Sequence, residues 1–198
     1  MRDALPDRRR HPRLIVVGIG NPHRGDDGVG RLVAGLVRGQ PGPGTEVIDC
    51  AEPTGLLTAW NGVDAAWIID AAGPPAPLAG PDRAGTVRRL AVVEGGPLHP
   101  DSVASTHGLD IAHVIEIGRA LGELPTLVVI YTIRAHHLSA TTPIHPQVAS
   151  AAHRVAKAVV AEAAAYPTVL GGLPSDDQVW SRWDGELPAD DQHHVRHH

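Results

Sequence analysis

Cysteine is almost absent from this sequence, since Cys50 is the single cysteine among 198 residues. One thiol cannot form an internal disulfide, and it cannot supply a zinc cluster built from several thiolates. Histidine and carboxylate side chains therefore remain as the candidate ligands of any metal ion.

The sequence also lacks an excess of positive charge. Lysine and arginine total 17 against 22 aspartate and glutamate residues, which gives a formal net charge of −5, and the arginines are scattered along the chain. A protein that binds nucleic acid neutralises phosphates with a basic surface. We therefore expect no nucleic-acid partner.

Long apolar runs are missing as well. The longest, TLVVIYTI at residues 126–133, is far shorter than the roughly 20 residues that a transmembrane helix needs. The start of the chain, MRDALPDRRRHPR, is charged and is not followed by an apolar segment long enough for an export signal. These features predict a soluble, cytoplasmic protein with no membrane partner.

Short apolar runs alternate with longer segments in which apolar residues recur at helical spacing. Four runs are β-branched and unalternating, which is typical of strands covered on both faces, and a fifth alternates like an edge strand. The order β-α-β-α-β-β-α-β-α predicts an α/β fold, a three-layer α/β/α sandwich with a mostly parallel twisted sheet. The predicted strands are 14–20, 45–49, 65–70, 86–93 (the edge strand) and 126–133, and the predicted helices are 27–38, 53–60, 107–121 and 145–164.

The length of the chain favours one domain. We assign residues 1–13 to an N-terminal extension and residues 14–166 to a single α/β domain. Residues 167–198 are polar, proline-rich and without period, which predicts a disordered, histidine-containing tail. Two loops, 71–85 and 94–106, are long for a compact domain, and such loops often carry function.

Acidic and imidazole side chains follow three of the predicted strands. Ligands bind beyond the carboxyl ends of strands in an open parallel sheet, so we expect these side chains at one edge. They are Asp26 and Asp27 after the first strand, Asp70 at the end of the third, and His107 at the start of a helix. A helix N-terminus keeps a histidine neutral and able to bind a metal. The structural alternatives are helix capping for Asp27, a turn for Asp70 and a solvated helix start for His107.

Two carboxylates and one imidazole suit a borderline divalent ion such as zinc, nickel or iron. A dinucleotide site fits the same region less well. Gly18 and Gly20 supply two glycines of the G-x-G-x-x-G pattern, but His23 occupies the third position, and the two aspartates that follow would repel a pyrophosphate. Asp49, at the end of the second strand, is the one match to a ribose-binding acid.

Three blocks of the sequence resemble the maturation endopeptidases of [NiFe] hydrogenases, the family that removes the C-terminal extension of the hydrogenase large subunit. GIGNPHRGDDGVG at 18–30 is similar to the opening signature of this family: G-x-G-N, four variable residues, an acidic pair and G-x-G. WIIDAA at 67–72 and STHGLDIAHVIEIGRAL at 105–121 follow in the order of the family. The resemblance extends over residues 14–164.

This resemblance implies a peptidase-like domain with a phosphorylase/hydrolase-like fold. It also implies that Asp27, Asp70 and His107 are the catalytic, metal-contacting residues, with Asp26 as a candidate base or as a partner that orients the site. Nickel would arrive in the partner, a hydrogenase large-subunit precursor, so that no resident catalytic metal is expected. Zinc or cadmium could occupy the site in vitro. We expect a monomer, with a dimer as the alternative.

The sequence departs from the family pattern at two loops. Arg134, His136 and His137 stand where the family often has an acid and a glycine-rich turn, and Cys50 and Glu52 lie in the loop after the second strand. We expect these changes to affect substrate selection. A catalytic role of the cysteine is the minor alternative to a buried, packed thiol.

The sequence is also compatible with other functions. Peptidyl-tRNA hydrolases also begin with a strand followed by G-x-G-N-P, but they need an arginine-histidine-asparagine run and a basic face that this chain lacks. A non-cleaving, nickel-binding chaperone that docks on the precursor would use the same three ligands. The terminal HHVRHH is an imidazole cluster that can bind nickel or zinc.

Overall fold

The computed structural model describes residues 11–40, 42, 44–73, 83–93, 108–140 and 142–169. Within these residues, five strands form one sheet and four α-helices flank it. The strands are β1 (Leu14–Ile19), β2 (Thr45–Cys50), β3 (Ala65–Ala72), β4 (Val87–Val93) and β5 (Leu127–Arg134). The helices are α1 (Val29–Arg38), α2 (Leu56–Ala59), α3 (Gly108–Leu121) and α4 (Pro146–Val169), with 3₁₀ turns at Gly25–Gly28 and Pro53–Gly55.

The strand order in the sheet is β2-β1-β3-β5-β4. The first four of these strands are mutually parallel, and β4 pairs antiparallel with β5 at the edge. This arrangement confirms the predicted, mostly parallel sheet and the edge position of the alternating strand. β1 and β3 are buried along their whole length, because helices cover both faces of the inner strands.

Alternate side chains of each strand point to opposite faces and build two apolar cores. On one face, Trp67 and Tyr131 pack with α1 and α4. On the other face, Ile68 and Ile130 pack with α2 and α3. The three-layer α/β/α sandwich is therefore confirmed. Each described helix is too short or too polar to cross a lipid bilayer.

The elements begin or end a few residues from their predicted boundaries, and two of these differences bear on the predictions. β3 continues for two residues beyond Asp70, so this aspartate lies inside the strand rather than at its last position. α4 runs to Val169, five residues past its predicted end and into the segment predicted as a tail. The rest of that tail, the first ten residues and most of the two long loops lie outside the described residues.

Two glycines let α1 approach the sheet at backbone contact distance. A Cβ atom on Gly30 would overlap the carbonyl oxygens of Ile19 and Ile69, and one on Gly18 would overlap the carbonyl oxygen of Gly30. The start of α1 therefore lies directly over the carboxyl ends of β1 and β3. This packing explains the spacing of the glycines without a nucleotide.

Candidate functional site

Asp27 lies in the 3₁₀ turn that joins β1 to α1, and its side chain is 2 % exposed. Its Oδ2 atom accepts a hydrogen bond of 3.0 Å from the backbone N–H of Asn21. Gly20 has φ 123°, and a Cβ atom there would collide with the carbonyl oxygen of Asp27. The glycine turn is thus closed tightly around this aspartate, which fixes its position beside the end of β1.

Asp70 is fully buried in β3. Its Oδ1 atom accepts a hydrogen bond of 2.8 Å from the backbone N–H of Ala71, and its register partner in β5 is Thr132. β1 pairs with β3 up to Ile69, so Asp70 lies just beyond the last position that is paired with β1, while β3 stays paired with β5 through Ala72. An aspartate is almost never buried completely unless it is paired with other groups.

The two aspartates occupy the same edge of the sheet. The turn that carries Asp27 contacts β3, and Gly30, three residues further on, packs against the strand residue that precedes Asp70. Asp27 and Asp70 therefore lie on elements that meet near the carboxyl ends of β1 and β3, and their joint role as ligands stays a prediction.

His107, the third predicted ligand, lies outside the described residues, and its position beside the acids stays a prediction. α3 begins at the next residue, Gly108. Within the described ranges, no group of three or more histidine, cysteine, aspartate or glutamate side chains could hold a metal ion.

Asp26 is fully buried but faces a different part of the chain. Its Oδ2 atom accepts hydrogen bonds from the backbone N–H groups of His136, at 2.8 Å, and His137, at 3.2 Å, while its Oδ1 atom accepts one from His145, at 2.6 Å. Both oxygens are thereby engaged in holding the crossover from β5 to α4. These contacts favour the orienting role for Asp26 over that of a base.

A cleft of about 390 Å³ opens beside Asp27. Its polar lining is of mixed charge, with two arginines and a second acid. Of its charged residues, Asp27 and Glu52 are among those predicted from the sequence to affect the site, whereas Arg24 and Arg31 are not. The lining residues are Gly20, Asn21, Pro22, His23, Arg24, Asp27, Arg31, Ala51 and Glu52.

Asp49, the one match to a ribose-binding acid, is engaged by α1 instead. Its carboxylate lies 3.2 Å from Arg38 and 3.7 Å from Arg31. These ion pairs join the end of β2 to the neighbouring helix. They leave the dinucleotide interpretation without its single supporting residue.

Cys50 ends β2 close to the cleft, and its sulfur packs against Gly55. Burial raises the pKa of the Cys50 thiol, and the negative charge of Asp49 raises it further, while Arg31 lowers it. A thiol that resists ionisation is a poor nucleophile. The structure thus favours the packed thiol over a catalytic one.

The architecture is that of the hydrogenase maturation proteases among solved structures. The hydrogenase maturating endopeptidase HybD from Escherichia coli superposes with a TM-score of 0.61 at 23% identity, over 76% of this chain and 91% of that chain. An endopeptidase from Escherichia coli superposes with a TM-score of 0.63 at 22% identity, over 81% and 94% of the two chains. The [NiFe] hydrogenase maturation protease HybD from Thermococcus kodakarensis superposes with a TM-score of 0.57 at 16% identity, over 74% of this chain and 96% of that chain.

These similarities establish a shared fold. No protein-family model matches the sequence, and no curated protein matches it. The two buried aspartates therefore lie in a fold that is also found in proteins named as hydrogenase maturation endopeptidases.

Proposed function

We propose that this chain is an endopeptidase that removes the C-terminal extension of a [NiFe] hydrogenase large-subunit precursor after nickel insertion. The observation that carries the proposal is the pair of buried aspartates, Asp27 and Asp70, at the carboxyl edge of the parallel sheet in a fold shared with hydrogenase maturation endopeptidases. The place of action is the cytoplasm, as the sequence predicts.

Nickel is part of the substrate in this proposal. The carboxylates of Asp27 and Asp70 bind the Ni²⁺ that the precursor carries, and His107 adds a nitrogen ligand. Nitrogen and oxygen ligands suit this borderline ion. Binding by both acids requires that the metal be present, so the enzyme selects precursors that have completed nickel insertion.

The bound cation also promotes hydrolysis of the neighbouring peptide bond. A divalent ion polarises a carbonyl oxygen or lowers the pKa of a water molecule that attacks it. Asp26 contributes indirectly, because its three amide hydrogen bonds fix the turn on which Asp27 lies.

The cleft beside Asp27 accommodates the peptide segment that leads to the cleaved bond. Arg24, Arg31 and Glu52 line it together with backbone from the glycine turn. A lining of both charge signs matches the mixed polar groups of a polypeptide better than the uniform negative charge of a nucleic acid.

The test is to incubate the full chain with nickel-loaded and nickel-free precursor and to detect the released C-terminal peptide by mass spectrometry. We expect release from the nickel-loaded form alone. Asp70→Asn and His107→Ala should each abolish release, while Asp49→Asn, a carboxylate-to-amide change outside the site, should retain it. Circular dichroism spectra of all variants should match that of the parent.

Two outcomes would contradict parts of this proposal, one the assignment of Asp70 and the other the cleavage itself. Full processing by Asp70→Asn would show that the Asp70 carboxylate is not needed for cleavage. Nickel-dependent binding of the precursor without any peptide release would instead support the non-cleaving chaperone, because the same ligands would then serve recognition alone.

A further inference from the structure

Three histidines form a compact cluster on the crossover between β5 and α4. His136 and His137 lie one residue after the end of β5, and His145 directly precedes α4. The ring centroids of His136 and His137 lie 5.0 Å apart, and the rings of His136 and His145 stack with centroids 4.6 Å apart and 11° between their planes. We call these three residues the histidine cluster.

The backbone of the histidine cluster is held by one buried carboxylate. All three amide N–H groups donate to Asp26, at 2.6 to 3.2 Å. Metal sites depend on supporting residues that fix the orientation of their ligands. Because Asp26 binds the amides and not the rings, it fixes the origin of each side chain and leaves the imidazole nitrogens available.

The geometry between two of the rings is that of a ligand pair. The Nδ1 atoms of His136 and His137 lie 2.8 Å apart, so one of them donates a hydrogen bond to the other in the metal-free protein. Two imidazole nitrogens bound to one ion at about 2.1 Å lie roughly 3 Å apart when they occupy adjacent coordination positions. For both Nδ1 atoms to bind one ion, the ring that donates the hydrogen bond must carry its proton on Nε2 instead of Nδ1, and both rings must turn so that their Nδ1 lone pairs meet at the ion.

The ring of His145 restricts the movement of the His136 ring. His145 stacks on one face of His136, and its own Nδ1 atom accepts a hydrogen bond of 3.3 Å from the backbone N–H of Gln147. The His145 ring therefore limits rotation of the His136 ring. It takes no part in the Nδ1–Nδ1 hydrogen bond between His136 and His137. His136 is exposed and His137 is half-buried, so an ion can reach them from solvent.

We propose that His136 and His137 form a binding site for a divalent transition-metal ion, Ni²⁺ or Zn²⁺. Two imidazoles provide the protein ligands, and water completes the coordination shell, since imidazole suits both ions. This site uses neither Asp27 nor Asp70, and it exists whether or not the chain is a protease.

The test is calorimetric titration of the full chain with NiCl₂. The terminal histidines would bind nickel on their own, so the parent for this experiment carries glutamine at all four positions, His193, His194, His197 and His198. In that background we expect His136→Gln and His137→Gln each to weaken Ni²⁺ binding by at least about tenfold, as loss of one of two ligands requires. His153→Gln, a change at an exposed histidine of α4, should leave the affinity unchanged.

A second measurement reports the ligands directly. With CuCl₂ as the probe, electron paramagnetic resonance of the same parent should show two coordinated imidazole nitrogens, and each of the two variants should show one. Asp70→Asn should keep both nitrogens, which separates this site from the proposed protease site. Unchanged nickel affinity in both His136→Gln and His137→Gln would overturn the proposal, as would an equal loss in His153→Gln. We expect both variants to unfold at the same temperature as the parent, because the hydrogen bonds from the backbone N–H groups to the Asp26 carboxylate do not depend on the histidine side chains. Equal midpoints would show that the fold is intact.

Discussion

The hydroxyl group of Tyr131 donates a hydrogen bond of 2.7 Å to Oε1 of Glu162, which joins the middle of β5 to α4. Arg89 of β4 donates to the same oxygen at 2.9 Å, and the indole N–H of Trp67 in β3 donates to Oε2 at 2.8 Å. The Glu162 carboxylate therefore connects the neighbouring strands β3, β5 and β4 to α4 by hydrogen bonds, at an interface that is otherwise largely apolar.

Removal of that carboxylate should be costly. We expect Glu162→Ala to lower the free energy of unfolding by about 2–4 kcal/mol, because the buried Tyr131 hydroxyl and Trp67 N–H would lose their acceptor. Urea unfolding followed by circular dichroism measures the change. Glu116→Ala is the matched control, since Glu116 pairs with Arg119 on an exposed helix face, and we expect about 0.5 kcal/mol or less there. Equal effects of the two changes would contradict the special role of Glu162.

The two tyrosines should make the protein sensitive to alkali. Burial, with a further contribution from the charge of Glu162, raises the pKa of Tyr131 well above its usual value of 10, and burial raises the pKa of Tyr166 to about 12. A group whose folded-state pKa is raised contributes stability that is complete below the unfolded pKa and is lost as the pH rises through the folded pKa. Stability should therefore fall above about pH 10.

Absorbance titration of phenolate formation checks this expectation. Neither tyrosine should ionise at pH 10 in the folded protein, whereas both should do so in 8 M urea. Tyr166→Phe should remove the transition near pH 12 and reduce the loss of stability between pH 10 and pH 12. Ionisation of both groups with a midpoint near pH 10 in the folded chain would contradict it.

The two glycines of α1 at positions 30 and 35 should respond in opposite directions to alanine. A Cβ atom on Gly30 would overlap two strand carbonyls, so Gly30→Ala should destabilise the fold by about 1–3 kcal/mol or more. Nothing lies within 4 Å of a Cβ atom on Gly35, so Gly35→Ala should stabilise it by about 0.5–1 kcal/mol through helix propensity alone. Thermal unfolding distinguishes the two, and a shift of the same sign in both would show that α1 does not pack as described.

Loss of the Asp26 carboxylate should release the crossover between β5 and α4. In Asp26→Ala the amides of His136, His137 and His145 lose their acceptor, and hydrogen exchange at these three amides should accelerate at least about tenfold. Exchange at the β5 residue Val129, which is paired within the sheet, serves as the internal reference. Unchanged exchange at all three histidine amides would contradict the role assigned to Asp26.

The sheet could be predicted from the sequence because its inner strands are continuous β-branched runs. Such runs are characteristic of strands that are buried on both faces. The position of Asp27 and Asp70 at one edge followed from the order of strands and helices. The contacts of Asp26 could not be predicted, since its partners lie 110 to 119 positions away in the sequence and bind through their backbone, which leaves no pattern of residue types. The end of α4 was misplaced because Pro167 and the residues after it resemble a linker in composition.

β4 has a consequence for the behaviour of the protein in concentrated solution. It forms one border of the sheet within the described residues, and a border strand offers unpaired backbone groups to other chains. Arg88 is exposed on this strand, and its neighbour Arg89 is held toward Glu162. A charged side chain on a border strand is one of the devices by which proteins discourage edge-to-edge pairing, and the exposed Arg88 places such a side chain on β4.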